Sequence, residues 1–181
     1  MRLLFASLVV VVFTSLAPAQ QPDRAIHIEK VVKATVDEVW KTWTTEAGIA
    51  GFFAPASRIE PRVDGAYEMY FAPGLAEGQR GGEGNRILAF DPGKMLAFSW
   101  NAPPSLPEAR KQRTHVVLRF KPVPGGTLVS LTHDGWGEGG EWDKAYSYFS
   151  NAWRWVLGML EYRFDKGPVD WKNPPEIKLD R

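Results

Sequence analysis

Three histidines, His27, His115 and His133, are the only side chains in this 181-residue sequence whose ordinary pKa lies near neutrality. No two share a helix or stand at a metal-ligand spacing, so neither zinc nor iron is expected, and no other cofactor is called for. His133 ends a run in which Val129, Leu131 and His133 fall on one face of an alternating strand. Its imidazole is thereby aimed at the apolar side, where it could orient a ligand or act as an acid or base. The plainer alternative is a histidine satisfied by a backbone carbonyl at the strand end.

Other candidates are weaker. Asp134, Glu138, Glu141 and Asp143 cluster around Gly135, Gly137, Gly139 and Gly140, but their spacing matches no calcium loop, and Glu141 and Asp143 suit the N-terminus of a following helix. The run Gly78-Gln79-Arg80-Gly81-Gly82-Glu83-Gly84 lacks the lysine and hydroxyl residue of a phosphate-binding loop and reads instead as a flexible lid. There is no cysteine and no G-x-S-x-G elbow, so a nucleophilic hydrolase has nothing obvious to start from.

The elements that must position these residues follow from periodicity and turn chemistry. Residues 25–33 alternate as a half-buried strand. Thr35 and Glu38 then form a capping box that opens a helix with Val36, Val39, Trp40 and Trp43 on one face, ending near Thr45. A further helical turn is expected within 47–53, anchored by Ile49, Phe52 and Phe53. Strands are expected over 57–61, 65–71, 84–90, 95–100, 114–121 and 127–133. Asp91-Pro92-Gly93-Lys94 and Pro124-Gly125-Gly126 close two antiparallel hairpins. Residues 141–164 carry Trp142, Ala145, Tyr146, Phe149, Ala152, Trp153, Val156 and Leu160 at three- and four-residue steps, one broad apolar stripe on a long helix stopped by Gly167-Pro168. Two Gly- and Pro-rich connections, 72–82 and 101–112, remain without regular structure. This order of elements describes an α+β domain in which the last helix covers one face of an antiparallel sheet.

Met1-Arg2, the apolar stretch from Leu3 to Leu16 and Ala17-Pro18-Ala19 have the form of an export signal cleaved after Ala19, too short to span a bilayer. The expected organisation is a signal peptide at 1–19, a linker at 20–24, one domain at 25–166 and a tail at 167–181, in a periplasmic or secreted protein without stable membrane insertion. Twenty-two Lys and Arg balance 21 Asp and Glu, and removal of Arg2 brings the net charge to zero, so neither nucleic acid nor anionic lipid is an expected partner. Nothing in the sequence sets an oligomeric state. Eight Trp, ten Phe and five Tyr are more aromatic surface than an ordinary core of this size needs, and such surface lines apolar pockets.

The stretches Ala34-Thr35-Val36-Asp37-Glu38-Val39-Trp40, Arg62-Val63-Asp64-Gly65, 84–92 with 96–100, and 126–135 occur in an order that resembles the START/Bet v 1-like helix-grip superfamily, often written SRPBCC. Within it the chain is similar to the branch named for the activator of heat-shock-protein-90 ATPase homologue. The resemblance covers nearly all of 25–164. It implies a curved antiparallel sheet wrapped around a long C-terminal helix, a short helix pair after the first strand, and a cavity between sheet and helix for lipids, sterols, polyketides or other apolar molecules. It does not imply one activity, since members include carriers, cyclases, hydrolases and receptors. An exported chain would not meet a cytosolic chaperone.

On this basis Trp100, His133, Phe149, Trp153, Val156 and Arg86 are the expected ligand-binding residues, with Arg86 or Arg154 available to a ligand carboxylate. The expected activity is binding of a small apolar molecule. The alternatives are a cyclase- or lyase-like enzyme using His133 as acid or base in the same cavity, and a purely structural protein with no usable cavity. Trp153 is expected to be a simple wall, replaceable by leucine without leaving a polar group unpaired.

Overall fold

The computed structural model describes residues 24–179, so the expected signal peptide and most of the linker lie outside the described residues. The first strand, β1 (Ile26–Val32), leads into α1 (Val36–Thr44). The capping box forms as expected: Thr35 Oγ1 accepts from Glu38 N at 3.3 Å, and Thr35 N donates to the Glu38 carboxylate at 2.8 Å. Thr45 ends α1 and caps α2 (Glu46–Ala50), accepting from Gly48 N at 3.1 Å. One residue thus turns the chain between two short helices, which lay Trp43, Ile49, Phe52 and Phe53 into the core.

The strands β2 (Ala56–Ile59), β3 (Tyr67–Tyr70) and β4 (Gly81–Gly82) form a small antiparallel sheet. Strands β5 (Ile87–Asp91), β6 (Met95–Trp100), β7 (Thr114–Val123) and β8 (Gly126–Asp134) join β1 in a curved five-stranded sheet of order β1-β8-β7-β6-β5, antiparallel throughout. Both expected hairpins are present. Gly93 and Gly125 sit at φ of 72° and 90°, conformations that glycine adopts without a Cβ clash, and the preceding prolines preset the turn. A bridge between Ala66 and Arg86 ties the small sheet to the large one, and a register shift between Ile87 and Ala89 bends the β5 edge.

Alternation on β8 buries Thr127, Val129, Leu131 and His133 on one face. Facing them is α4 (Gly140–Lys166), whose buried stripe includes Ala145, Phe149, Trp153, Val156 and Leu160. Sheet and helix bury their apolar faces against each other and against the α1–α2 pair, which is what defines the layers. The connection at 101–112 contains a short helix, α3 (Pro107–Arg110), absent from the sequence reading. It exists because Glu141, expected to favour the start of α4, reaches across and accepts from Glu108 N at 2.7 Å and Ala109 N at 3.0 Å. Asp143 likewise pairs with Arg24 at 2.7 Å.

The tail after α4 is held against the domain at several points. Val169 is buried and its N–H donates to Gly51 O, Trp171 Nε1 donates to Ala50 O at 2.6 Å, and Ile177 lies against Gly158 of α4, where any Cβ would collide with it. Glycine at 158 is a close-approach requirement, not a helix choice.

Candidate functional site

Trp100 at the end of β6, Phe53 after α2, and Trp153 on α4 meet in one aromatic group. Phe53 stacks on Trp100 with centroids 5.7 Å apart and planes at 20°, and Trp153 stands 5.4 Å from Trp100 and 5.7 Å from Phe53. Phe149, one turn earlier on α4, is stacked on Trp153 at 6.3 Å. Together with Val156 these rings wall a cavity of about 370 Å³. That volume falls within the range of small-molecule sites, roughly 300–1,000 Å³. The opposite wall is the 72–82 connection, which contributes Ala72, Gln79, Arg80 and Gly81. A Cβ on Gly82, which also lines the cavity, would approach the Trp100 ring to 3.0 Å, so glycine lets the loop backbone lie on the indole without displacing it.

The loop is fastened from both sides. Glu83 accepts from Gly78 N at 2.8 Å, Arg80 N at 2.9 Å and Arg80 Nε at 2.8 Å, while Arg110 donates to Ala102 O at 2.5 Å and Gly81 O at 2.7 Å. Burial pushes the Glu83 carboxyl up, but these donors outweigh it and hold it below the usual carboxylate range.

His133 lies behind this cavity, not on its wall. It is fully buried, and both ring nitrogens are engaged. Trp153 Nε1 can only donate and does so to His133 Nδ1 at 2.7 Å, which leaves the proton on Nε2, 2.6 Å from Thr114 Oγ1. The threonine hydroxyl in turn donates to Trp100 O at 3.1 Å. Trp136 closes the remaining side, its ring 4.1 Å from the imidazole and its Nε1 donating to the His133 carbonyl. Burial, with a smaller contribution from His115, pushes the His133 pKa down to about 3. The imidazole is therefore neutral, held as one tautomer, and serves to orient Trp153. A leucine at 153 would leave Nδ1 without a donor, contrary to the expectation of a simple wall.

Of the six residues singled out from sequence, Trp100, Phe149, Trp153 and Val156 line the cavity and His133 supports one of them. Arg86 lies elsewhere: its side chain is half exposed and donates to Asp64 O at 2.9 Å, because neighbouring Ile87 takes the inward position of the strand. Arg154 faces a separate hollow beneath the tail, lined mainly by charged residues such as Lys30, Glu161 and Glu176. Sequence reasoning passed over Phe53, Arg80 and Asn101, which line the cavity. Phe53 carried a signal as an apolar anchor, whereas Arg80 and Asn101 sit in connections without periodicity. Among the described residues no three His, Asp or Glu side chains converge in a metal-holding group, and no helix is long and apolar enough to cross a membrane.

Comparison with known proteins fits this architecture. The fold is shared with the MLL2253 protein of Mesorhizobium loti, 20% identical over 81% of this chain and 100% of that one, with a TM-score of 0.64. It is shared as well with the Aha1 dimer of Colwellia psychrerythraea, 19% identical over 80% and 98% of the two chains at 0.60. CalU16 of Micromonospora echinospora is 23% identical over 86% and 82% at 0.58. No curated protein matches the sequence significantly. Residues 33–165 match the family described as activator of Hsp90 ATPase homolog 1-like protein, and with most of its length inside that match the chain belongs to this family.

Proposed function

We propose that this protein binds a small, largely planar apolar molecule between the aromatic face of α4 and the 72–82 loop, without transforming it. The observation that carries this reading is the cavity of about 370 Å³ walled by Phe53, Trp100, Phe149 and Trp153. Flat rings at offset and tilted angles offer a slot to another flat apolar body. The geometry of His133 favours binding over acid–base chemistry. A fully buried imidazole with both nitrogens engaged and a pKa near 3 has neither access to a substrate proton nor a driving force to take one at neutral pH. Export by the N-terminal 1–19 segment belongs to the same proposal and places the ligand in the cell envelope or outside it. A neutral environment-sensitive dye titrated into the full chain should brighten and quench tryptophan emission, and recovered ligand should be unchanged by mass spectrometry. Absence of dye binding would remove the reading, and conversion exceeding the protein in amount would replace it with an enzymatic one.

A further inference from the structure

Building on the reading of the aromatic cavity as an apolar ligand site, we infer that its ligand is an amphipathic monoanion, held by a carboxylate-like end in the arginine hollow next door. The two spaces adjoin. Arg80 and Asn101 line both the aromatic cavity and a polar hollow of about 430 Å³ beside it. A molecule lying along the Trp100 ring can therefore continue toward guanidinium groups.

One cation in that hollow lacks a carboxylate partner. Arg58, Arg80, Arg110 and Arg113 line it beside Glu68, Glu77 and Glu83. Arg58 is already committed to Glu60 at 2.5 Å. Glu83 serves Arg80 at 2.8 Å and stands 3.8 Å from Arg110. Glu68 accepts from Gly84 N at 2.8 Å and from the Tyr70 hydroxyl, whose pKa is pushed up to about 12 by burial and by that carboxylate, so the phenol stays a neutral donor. Arg113 remains. Its Nη1 donates only to backbone, Arg110 O at 3.0 Å and Gln112 O at 3.4 Å, and among the described residues no carboxylate pairs with it. Its Nη2 lies beside Gly84, where a Cβ would come within 3.0 Å.

A guanidinium lacking a counter-charge gains most from an incoming anion, and its planar fork fits a carboxylate through two parallel hydrogen bonds. A single guanidinium is without a carboxylate, which matches a monoanion and disfavours a phosphate dianion. The three glutamates add repulsion against any second negative charge. The ligand class follows: one flat apolar body and one carboxylate.

The test compares two probes sharing a ring system, 2-naphthylacetate and 2-naphthaleneethanol, titrated calorimetrically into the full chain at low salt. The native protein should prefer the carboxylate by about tenfold or more, the range of a hydrogen bond to a charged group. The preference should shrink with added salt. Arg113→Gln should bring the ratio of affinities close to one, Arg113→Lys should restore part of it, and Arg62→Gln, on an exposed arginine outside the hollow, should leave it as in the native chain. A native ratio near one, with both probes bound, overturns the monoanion inference and leaves the apolar cavity standing. A ratio as high in Arg113→Gln as in the native chain overturns it too. Failure of both probes to bind overturns it together with the reading of the cavity.

Discussion

The two walls of the cavity are both held by hydrogen bonds but by different kinds of structure. At the inner wall, Trp153, His133, Thr114 and the Trp100 carbonyl form one chain of donors and acceptors between a long helix and three neighbouring strands, with core side chains on every side. At the outer wall, Glu83 and Arg110 hold the 72–82 loop mostly through its backbone, with Leu75 and Phe71 exposed above. Breaking a bond at the inner wall strands a polar atom away from water. At the outer wall the bonded groups lie nearer the surface, where water reaches a broken bond more readily than in the core. The fold thus pairs a packed aromatic floor with a loop tied mainly by hydrogen bonds, and under the proposed reading that loop is the side from which a ligand would enter.

The largest expected effect is at the inner wall. Trp153→Ala removes a fully buried indole and the donor to His133, and should lower unfolding free energy by about 3–5 kcal/mol in urea titrations. A cost below about 1 kcal/mol would mean that the ring is not packed as described.

Next comes acid sensitivity. His133 holds no proton in the fold until the pH nears 3, but takes one near its ordinary 6.5 once unfolded. The unfolded chain therefore binds more protons across that interval. Stability is complete above about pH 6.5 and should fall by about 2–3 kcal/mol between pH 6.5 and 4.5. Below 4.5 the depressed carboxyls of Glu38, Glu60 and Glu83 add to the loss, so the upper window isolates the histidine. His133→Gln should flatten the stability profile there, and an equally steep profile would reassign the effect.

Thr114→Val keeps the shape but deprives His133 Nε2 and the Trp100 carbonyl of their partner, and should cost about 1–3 kcal/mol. Smallest is the outer wall. Glu83→Gln should change global unfolding by no more than about 1 kcal/mol, while hydrogen exchange at the Gly78 and Arg80 amides accelerates roughly tenfold or more. Should Glu83→Gln destabilise the whole chain as much as Thr114→Val does, the outer wall is part of the rigid core and the contrast between the walls fails.

Much of this architecture was legible from local signals. The capping box at Thr35 and Glu38, the Pro-Gly hairpins, the stripe on α4 and the alternation on β8 each depend on residues within a few positions of one another, where sterics and periodicity act directly. They set the faces of Phe149, Trp153 and Val156 and turned His133 inward, and the resemblance to helix-grip proteins, which implied a cavity there, named these residues and Trp100 as its wall. Arg86 was not legible, since it shares strand parity with the apolar Leu88 and Phe90, and the register shift between Ile87 and Ala89 breaks the alternation there. What waited for the tertiary structure was decided by contacts across the chain. His133 and Trp153 are 20 residues apart, and only sheet and helix packing bring indole to imidazole, which turns a candidate acid or base into a support. Glu141 caps α3 from more than 30 residues away. The 72–82 loop has no periodicity to read, and its place on Trp100 follows from Gly82, Glu83 and Arg110 meeting in space. Local chemistry determines which elements form and which way their side chains point, whereas the partner each side chain finds is set by how those elements pack.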